Sequence, residues 1–291
     1  VNVQKSFADG AERRTGALYL VATPIGNLED MTWRAVRTLR EADVIAAEDT
    51  RQTRKLLSHF QISGQLVSYH EHNKESSGKE LVRRMMDGQQ VALVSDAGVP
   101  AVSDPGYELV QAAIEAGIPV VPVPGANAAL SALIVSGLPT DAFLYAGFLP
   151  RRGQEAAKQL ARWRRVPCTL VFYEAPHRLE RTLELMLEVL GDRRIALARE
   201  LTKKHEEIAR GRIRECLEWI RNQPPRGEYC IVVEGGGEAD DAEPAGQWWH
   251  GLDVREHVER YERQGHSRKD AMKLAAKDRG VSKRDIYREL V

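Results

Sequence analysis

The chain has 291 residues, enough for one large domain or two modest ones. Lys plus Arg and Asp plus Glu balance at 42 each, so a nucleic-acid binder basic over its whole surface is excluded, whereas a local basic patch is not. Hydrophobic residues make up 43% and suit a protein with a sizeable core, and no apolar run spans a bilayer, so a soluble cytoplasmic protein without a membrane partner is expected. Cys168, Cys216 and Cys230 are too dispersed for a metal site or a disulfide framework; buried thiols and no metal are expected.

Residues 1–16 are polar, lack the apolar stretch of a secretion signal, and read as a flexible tail. The apolar run Ala17 to Ala22 is a strand stopped by Thr23-Pro24, and Leu28 to Ala42 places Trp33, Val36 and Leu39 at helical spacing. Asp43 to Ala47 is a strand and Arg51 to Phe60 a short helix. Leu81 to Met86 lies in a helix, Val91 to Ser95 is a strand, Tyr107 to Ala116 a helix, Ile118 to Val123 a strand, and Gly125 to Val135 opens an alanine-rich helix. Short, nearly all-apolar strands alternating with helices predict a sheet covered on both faces, an α/β domain over residues 17–136.

After a break at Ser136 to Thr140, a second α/β domain over residues 137–235 is expected. It has strands at Phe143 to Gly147, Cys168 to Tyr173, Ile195 to Arg199 and Glu228 to Val233, and helices at Arg151 to Arg165 and Leu179 to Leu190. Residues 236–250 are rich in Gly, Pro and acids and read as a linker. Residues 251–291 are helical in period, with N-cap signatures at Ser267/Asp270 and Ser282/Asp285, and predict a small helical appendage.

Four loops follow first-half strands: Thr23 to Asn27, Glu48 to Arg51, Ser95 to Gly98 and Pro124 to Asn127. In an open α/β sheet ligands bind beyond the carboxyl ends of strands, and Gly there lets a flat ligand lie against backbone. No G-x-G-x-x-G, no G-x-x-x-x-G-K-[ST], no H-E-x-x-H and no G-x-S-x-G is present, so dinucleotide, P-loop, zinc-protease and serine-hydrolase readings lack a motif. The residues alone reach an α/β enzyme with a small-molecule cleft between two domains. A basic stretch follows, with Arg151, Arg152, Lys158, Arg162, Arg164 and Arg165 against Glu155 alone, and Phe143, Phe148 and Trp163 nearby. It predicts a surface that grips an RNA backbone and stacks a base.

Seven blocks in order, LVATPIGNLED, AEDTRQTR, SDAGVPAVSDPG, VPGANA, GFLPRR, FYEAPHR and ARELTKK, resemble the bacterial small-subunit ribosomal RNA methyltransferase I family of the tetrapyrrole methylase superfamily. The resemblance covers roughly residues 17–235. Val99 stands where the family often has Thr, and Ala126-Asn127 where a Pro-Ser pair is common. The resemblance implies a class III methyltransferase fold of two α/β domains. It also implies S-adenosylmethionine as cofactor and 2′-O-methylation of a cytidine ribose in the decoding region, on an assembled or partly assembled small subunit. A homodimer is the usual form in the superfamily. It sets Pro24, Gly26, Asp96, Gly98, Ala126, Ala128 and Pro150 near the cofactor.

A ribose hydroxyl must lose its proton during transfer, and Glu200 and His177 are the candidate bases, with Glu174 and Lys203 completing the catalytic set. Arg178, whose fork matches phosphate oxygens, joins Arg51, Arg54 and the basic stretch as an RNA ligand. Two other readings stand beside this one: a corrin or porphyrin-precursor methylase of the same superfamily, and a non-catalytic ribosome-binding protein.

Overall fold

The computed structural model describes residues 1, 3, 4, 6, 15–237, 249 and 252–290. They divide into two compact units, 1–236 and 237–291. The tail and linker readings fall mostly outside the described residues, although the Gln4 side chain pairs with both backbone groups of Val120.

The first unit holds two five-stranded sheets. In the first, β1 (Leu18–Val21), β2 (Val44–Ala47), β3 (Gln65–Ser68), β4 (Val91–Val94) and β5 (Val120–Val123) run parallel in the order β3-β2-β4-β1-β5. Four helices cover it: α1 (Trp33–Glu41), α2 (Thr50–His59), α3 (Lys74–Met86) and α4 (Tyr107–Glu115). Leu81, Met85 and Leu109 pack on one face, and Val36, Leu39 and Leu57 on the other. This two-sided cover is why β2 and β4 read as unbroken apolar runs and are buried throughout. Each such Leu or Val contributes about 1.5–3 kcal/mol on leaving water.

The helix expected from Leu28 begins later. Asn27 caps a short 3-10 turn at Leu28–Asp30, then Thr32 accepts from the Ala35 amide and starts α1. Trp33, expected in the apolar stripe, occupies the first helical position and is exposed. Strand β3 lies at the sheet edge, half-exposed and polar at both ends, and carries too weak an apolar run to be read from sequence.

The second sheet contains β6 (Phe143–Phe148), β7 (Thr169–Glu174), β8 (Arg194–Arg199), β9 (Glu207–Arg212) and β10 (Tyr229–Val233) in the order β6-β7-β10-β8-β9. Only β6 and β7 pair in parallel. Helices α6 (Gly153–Trp163), α7 (Leu179–Leu190) and α8 (Ile213–Asn222) cover one face. The other face is covered by α5 (Ala128–Ser136), which follows the last strand of the first sheet but buries Ala129, Ala132 and Leu133 against Val171, Ala196 and Val232 of the second. Neither β9 nor α8 was legible beforehand; β9 is a charged edge strand with one apolar pair, Ile208-Ala209.

The second unit is a bundle of α9 (Val254–Arg263), α10 (Arg268–Arg279) and α11 (Lys283–Leu290) around Val258, Ala271, Ala275 and Ile286. Ser267 and Ser282 cap as read: the amides of Asp270 and Asp285 donate to their hydroxyls at 3.2 and 3.3 Å. The α/β architecture with a helical appendage is the expected one. Among the described residues no helix is long and apolar enough to cross a membrane.

Candidate active site

The loops after β1, β2, β4 and β5 emerge at the same end of the parallel sheet, because all its strands point the same way. Thr23 and Gly98 exchange both backbone hydrogen bonds, at 2.8 and 3.0 Å, and tie the first loop to the third. In the second sheet β10 is antiparallel to β7 and β8, so its start, Tyr229, lies beside their ends, Glu174 and Arg199. A cavity of about 580 Å³ opens between these two sets of loops. Its walls are Ile25, the Asp96–Asp104 loop, Asn127, Ala128, Phe148, Ala175 to His177, Glu200, Leu201, Lys203 and Glu228 to Cys230.

One wall is acidic. Asp96 accepts from the Asp49 amide at 3.0 Å, while Asp49 turns its own carboxylate to the Arg51 amide and caps α2. Asp104 lies in the same loop, where Ala101 and Ser103 hold left-handed φ of 66° and 62° and the Ser103 hydroxyl meets the Tyr145 hydroxyl at 2.7 Å. Burial, then the negative charges of Glu48 and Asp96, push the Asp104 carboxyl from 3.8 up to about 6. Burial and Asp96 raise Glu48 as well, with His70 opposing. Asp104 was not singled out in the sequence. Its signal in the sequence is the second acid of the block SDAGVPAVSDPG.

The opposite wall is an ion-paired turn after β8. Glu200 and Thr202 adopt left-handed φ of 49° and 67°. The Lys203 ammonium donates to Glu200 Oε1 and Glu228 Oε2, both at 3.0 Å, and the Glu228 amide donates to Glu200 Oε1 at 3.0 Å. Burial disfavours the Glu200 carboxylate, but the Glu228 amide and Lys203 outweigh it and hold the group below its usual range. Burial opposes charge on Lys203 too, and its two carboxylate partners nevertheless raise it. Glycines make room for this turn. A Cβ on Gly26 would stand 2.3 Å from the Lys203 stem, and one on Gly227, at φ 74°, 2.5 Å from the Glu200 carboxyl.

Of the residues expected near the cofactor, Asp96, Gly98 and Ala128 line the cavity. Pro24, Gly26 and Ala126 do not line it, although their neighbours Ile25 and Asn127 do, and the Pro150 carbonyl accepts from Arg178. Among the expected catalytic residues, Glu200, Lys203 and His177 reach the cavity, His177 being exposed at its rim. Glu174 also borders it, but its side chain is buried and committed: Oε2 accepts from Thr182 at 2.7 Å, Oε1 accepts from the Ala175 amide and faces Arg178 at 3.3 Å. So engaged, Glu174 anchors the end of β7. Arg178 is engaged likewise. Its guanidinium is held by Glu174 and by the carbonyls of Leu149 and Pro150, at 2.8 and 3.2 Å, and straps the loop after β6 to the loop after β7.

Arg51, Arg54, Arg151, Arg152, Arg162 and Arg165 are exposed, whereas Arg164 is half-buried with its carbonyl bound by Arg193. Trp163 packs inward on Phe172, and Phe148 lines the cavity together with Tyr173 and Tyr229. Cys216 and Cys230 are buried and Cys168 half-buried.

The family of Tetrapyrrole (Corrin/Porphyrin) Methylases matches residues 17–217. Among solved structures, uroporphyrin-III-C-methyltransferase from Thermus thermophilus is 26% identical with a TM-score of 0.51, over 75% of this chain and 94% of that one. A diphthine synthase aligns with a TM-score of 0.61 at 15% identity over 76% of this chain and 90% of its own, a likeness of fold alone. Ribosomal RNA small subunit methyltransferase I of Halalkalibacterium halodurans is 57% identical over 287 residues, 99% of this chain and 98% of that protein. The chain belongs to the ribosomal RNA small subunit methyltransferase I family. The Bacillus subtilis member is 54% identical over 94% of this chain and 93% of its own. Family membership makes the chain an S-adenosylmethionine-dependent methyltransferase. The cavity fits that cofactor in its chemistry: Ile25, Val99, Val102 and Leu201 offer apolar surface to a flat purine, and Asp96, Asp104 and Glu228 offer negative charge to a sulfonium.

Proposed function

We propose that this chain methylates the ribose 2′-oxygen of a cytidine in the decoding region of small-subunit ribosomal RNA, acting as a homodimer on an assembled or partly assembled small subunit. The observation that carries this reading is a two-walled cavity holding a carboxyl group tuned to about 6, in a chain 57% identical to a ribosomal RNA methyltransferase. S-adenosylmethionine, when bound, supplies a methyl group on a sulfonium that is already a good leaving centre. The protein is left to orient the hydroxyl, exclude water and take a proton.

Asp104 accepts that proton. A base works best with a pKa near the operating pH, and among the cavity acids Asp104 is raised closest to it. Glu200 is a poor acceptor because its Oε1 is taken by two donors and its carboxyl is held low. Glu200, Lys203 and Glu228 instead fix the far wall. Phe148, half-exposed beside Tyr173 with ring centroids 5.6 Å apart, offers a face on which a splayed base stacks. The exposed arginines at positions 51, 54, 151, 152, 162 and 165 hold phosphates.

The test is transfer of label from radiolabelled S-adenosylmethionine to small subunits from a strain lacking the gene, followed by nuclease mapping. Label on a cytidine ribose is expected; label on a base, or on a tetrapyrrole instead of RNA, overturns the reading. For the proton, Asp104→Asn is expected to abolish the acid limb of the kcat profile near pH 6, and His177→Ala to keep it; the reverse result makes His177 the acceptor.

A further inference from the structure

The helical unit carries a charge layout that the catalytic cavity does not use. Lys269, Lys273 and Lys277 recur at every fourth position of α10, and all are exposed, so they form one stripe along the helix. Three acids of the same two helices are engaged in hydrogen bonds, while Glu289 is exposed on α11. Asp270 accepts from the Ser267 hydroxyl at 2.6 Å and belongs to the α10 cap. Asp278 accepts from the Tyr261 hydroxyl at 2.6 Å and faces His257 at 3.2 Å, inside the bundle. Asp285 accepts from the Ser282 amide and hydroxyl at 3.1 and 2.6 Å and belongs to the α11 cap.

Asp270 and Asp285 stay exposed but are hydrogen-bonded within caps, Asp278 is half-buried, and the three lysines are exposed beside them. On α11, Arg284 and Arg288 are exposed and bracket Tyr287, which is 60% exposed. Positions 284, 287 and 288 share one helix face. None of Lys269, Lys273, Lys277 and Arg284 meets a carboxylate within ion-pair distance among the described residues. The turn between the two helices is short, with Gly280 in the left-handed conformation at φ 64°.

We propose that the outer faces of α10 and α11 form a second RNA grip, in which the lysine stripe and Arg284/Arg288 bind phosphates and Tyr287 stacks on an unpaired base of the substrate RNA. Charge complementarity selects this occupant. Cations without carboxylate partners lower their free energy by displacing counterions from a polyanion, and an exposed aromatic between arginines suits a base face. The grip rests on the reading that the substrate is RNA.

The test compares the full-length protein with K269Q/K273Q/K277Q, K269R/K273R/K277R and Y287A, binding small ribosomal subunits over a salt titration. Glutamine keeps helix propensity, so the fold is not at risk. The glutamine triple is expected to bind about tenfold or more weakly near physiological salt, with the slope of log affinity against log salt reduced by about 2. The arginine triple is expected to retain both, and Y287A to lose about fivefold or more. Equal affinity and slope for wild type and the glutamine triple overturn the grip. Weaker binding with an unchanged slope also overturns it and marks the face as a protein-docking surface. Failure of wild type to methylate any RNA overturns the function instead, and is read in the label-transfer assay, apart from binding.

Discussion

Replacing Asp104 by Asn should stabilise the protein while disabling it. In the folded chain the Asp104 carboxyl is pushed from 3.8 up to about 6 by burial and by Glu48 and Asp96. An acid raised on folding binds more protons folded than unfolded. Its neighbours therefore cost nothing below the unfolded value, and stability is lost as pH rises from about 4 through the folded value near 6. Above that the loss is complete. A difference of about 2 in pKa corresponds to about 3 kcal/mol, which solvent access to a half-buried group reduces to about 2 kcal/mol. Asn keeps the shape and removes the charge. The variant should melt about 4–8 °C higher than wild type near pH 7.5, and the gain should shrink to less than half at about pH 4.5. Calorimetric melting of both proteins at the two pH values, beside kcat at each, measures this. A variant no more stable near pH 7.5, or equally stabilised at both pH values, refutes the argument that Asp104 is held in a charge-hostile site for its chemistry.

Other substitutions probe the remaining parts. Gly227→Ala drives a methyl group into the Glu200 carboxyl at a left-handed φ, and should cost about 1–3 kcal/mol and weaken cofactor binding by calorimetry; unchanged affinity would detach that turn from the cofactor. Glu174→Ala strands Thr182 and Arg178 in a buried site and should cost about 3 kcal/mol in denaturant unfolding; full stability with lost turnover would return Glu174 to catalysis. His257, whose ring packs between Trp249 and Tyr261 with centroids 5.4 and 5.5 Å away, is held below its ordinary 6.5, chiefly by burial and then by Arg279. A His lowered on folding supports the fold above 6.5 and withdraws that support as the unfolded chain takes up protons below it. The helical unit should loosen on acidification from about pH 7 to 5, followed in the full-length protein by Trp249 fluorescence, and His257→Gln should flatten the response.

The first sheet was legible because each of β1, β2 and β4 is a short apolar run that ends in a turn of small or charged residues. The walls of the cavity were legible for the same reason, since Gly98, Asp96 and Glu200 follow strands directly. Three things were not. Strand β3 and strand β9 lie at sheet edges, where half the pattern is polar by design of their exposure. Glu174 and Arg178 carry the residue types of a proton acceptor and a phosphate ligand, and only the positions of Thr182, Leu149 and Pro150 show that both are already engaged. Asp104 looks in sequence like one more turn aspartate; its carboxyl is raised by burial and then by Glu48 and Asp96, which arrive from a different strand and from eight positions upstream.

The placement of α5 bears on how the chain is made. By order it closes the first sheet, yet its buried face is completed only by β7, β8 and β10. During synthesis at about 5–20 residues per second, the roughly 100 residues from the end of α5 to the end of β10 take about 5–20 s to appear. For that interval the nascent chain displays the apolar nine-residue segment AALSALIVS, whose Leu130 and Ile134 end on the outer side of the folded helix and whose Ala132 and Leu133 end on the inner. The methyltransferase thus leaves the ribosome with this apolar segment uncovered until the second sheet has formed.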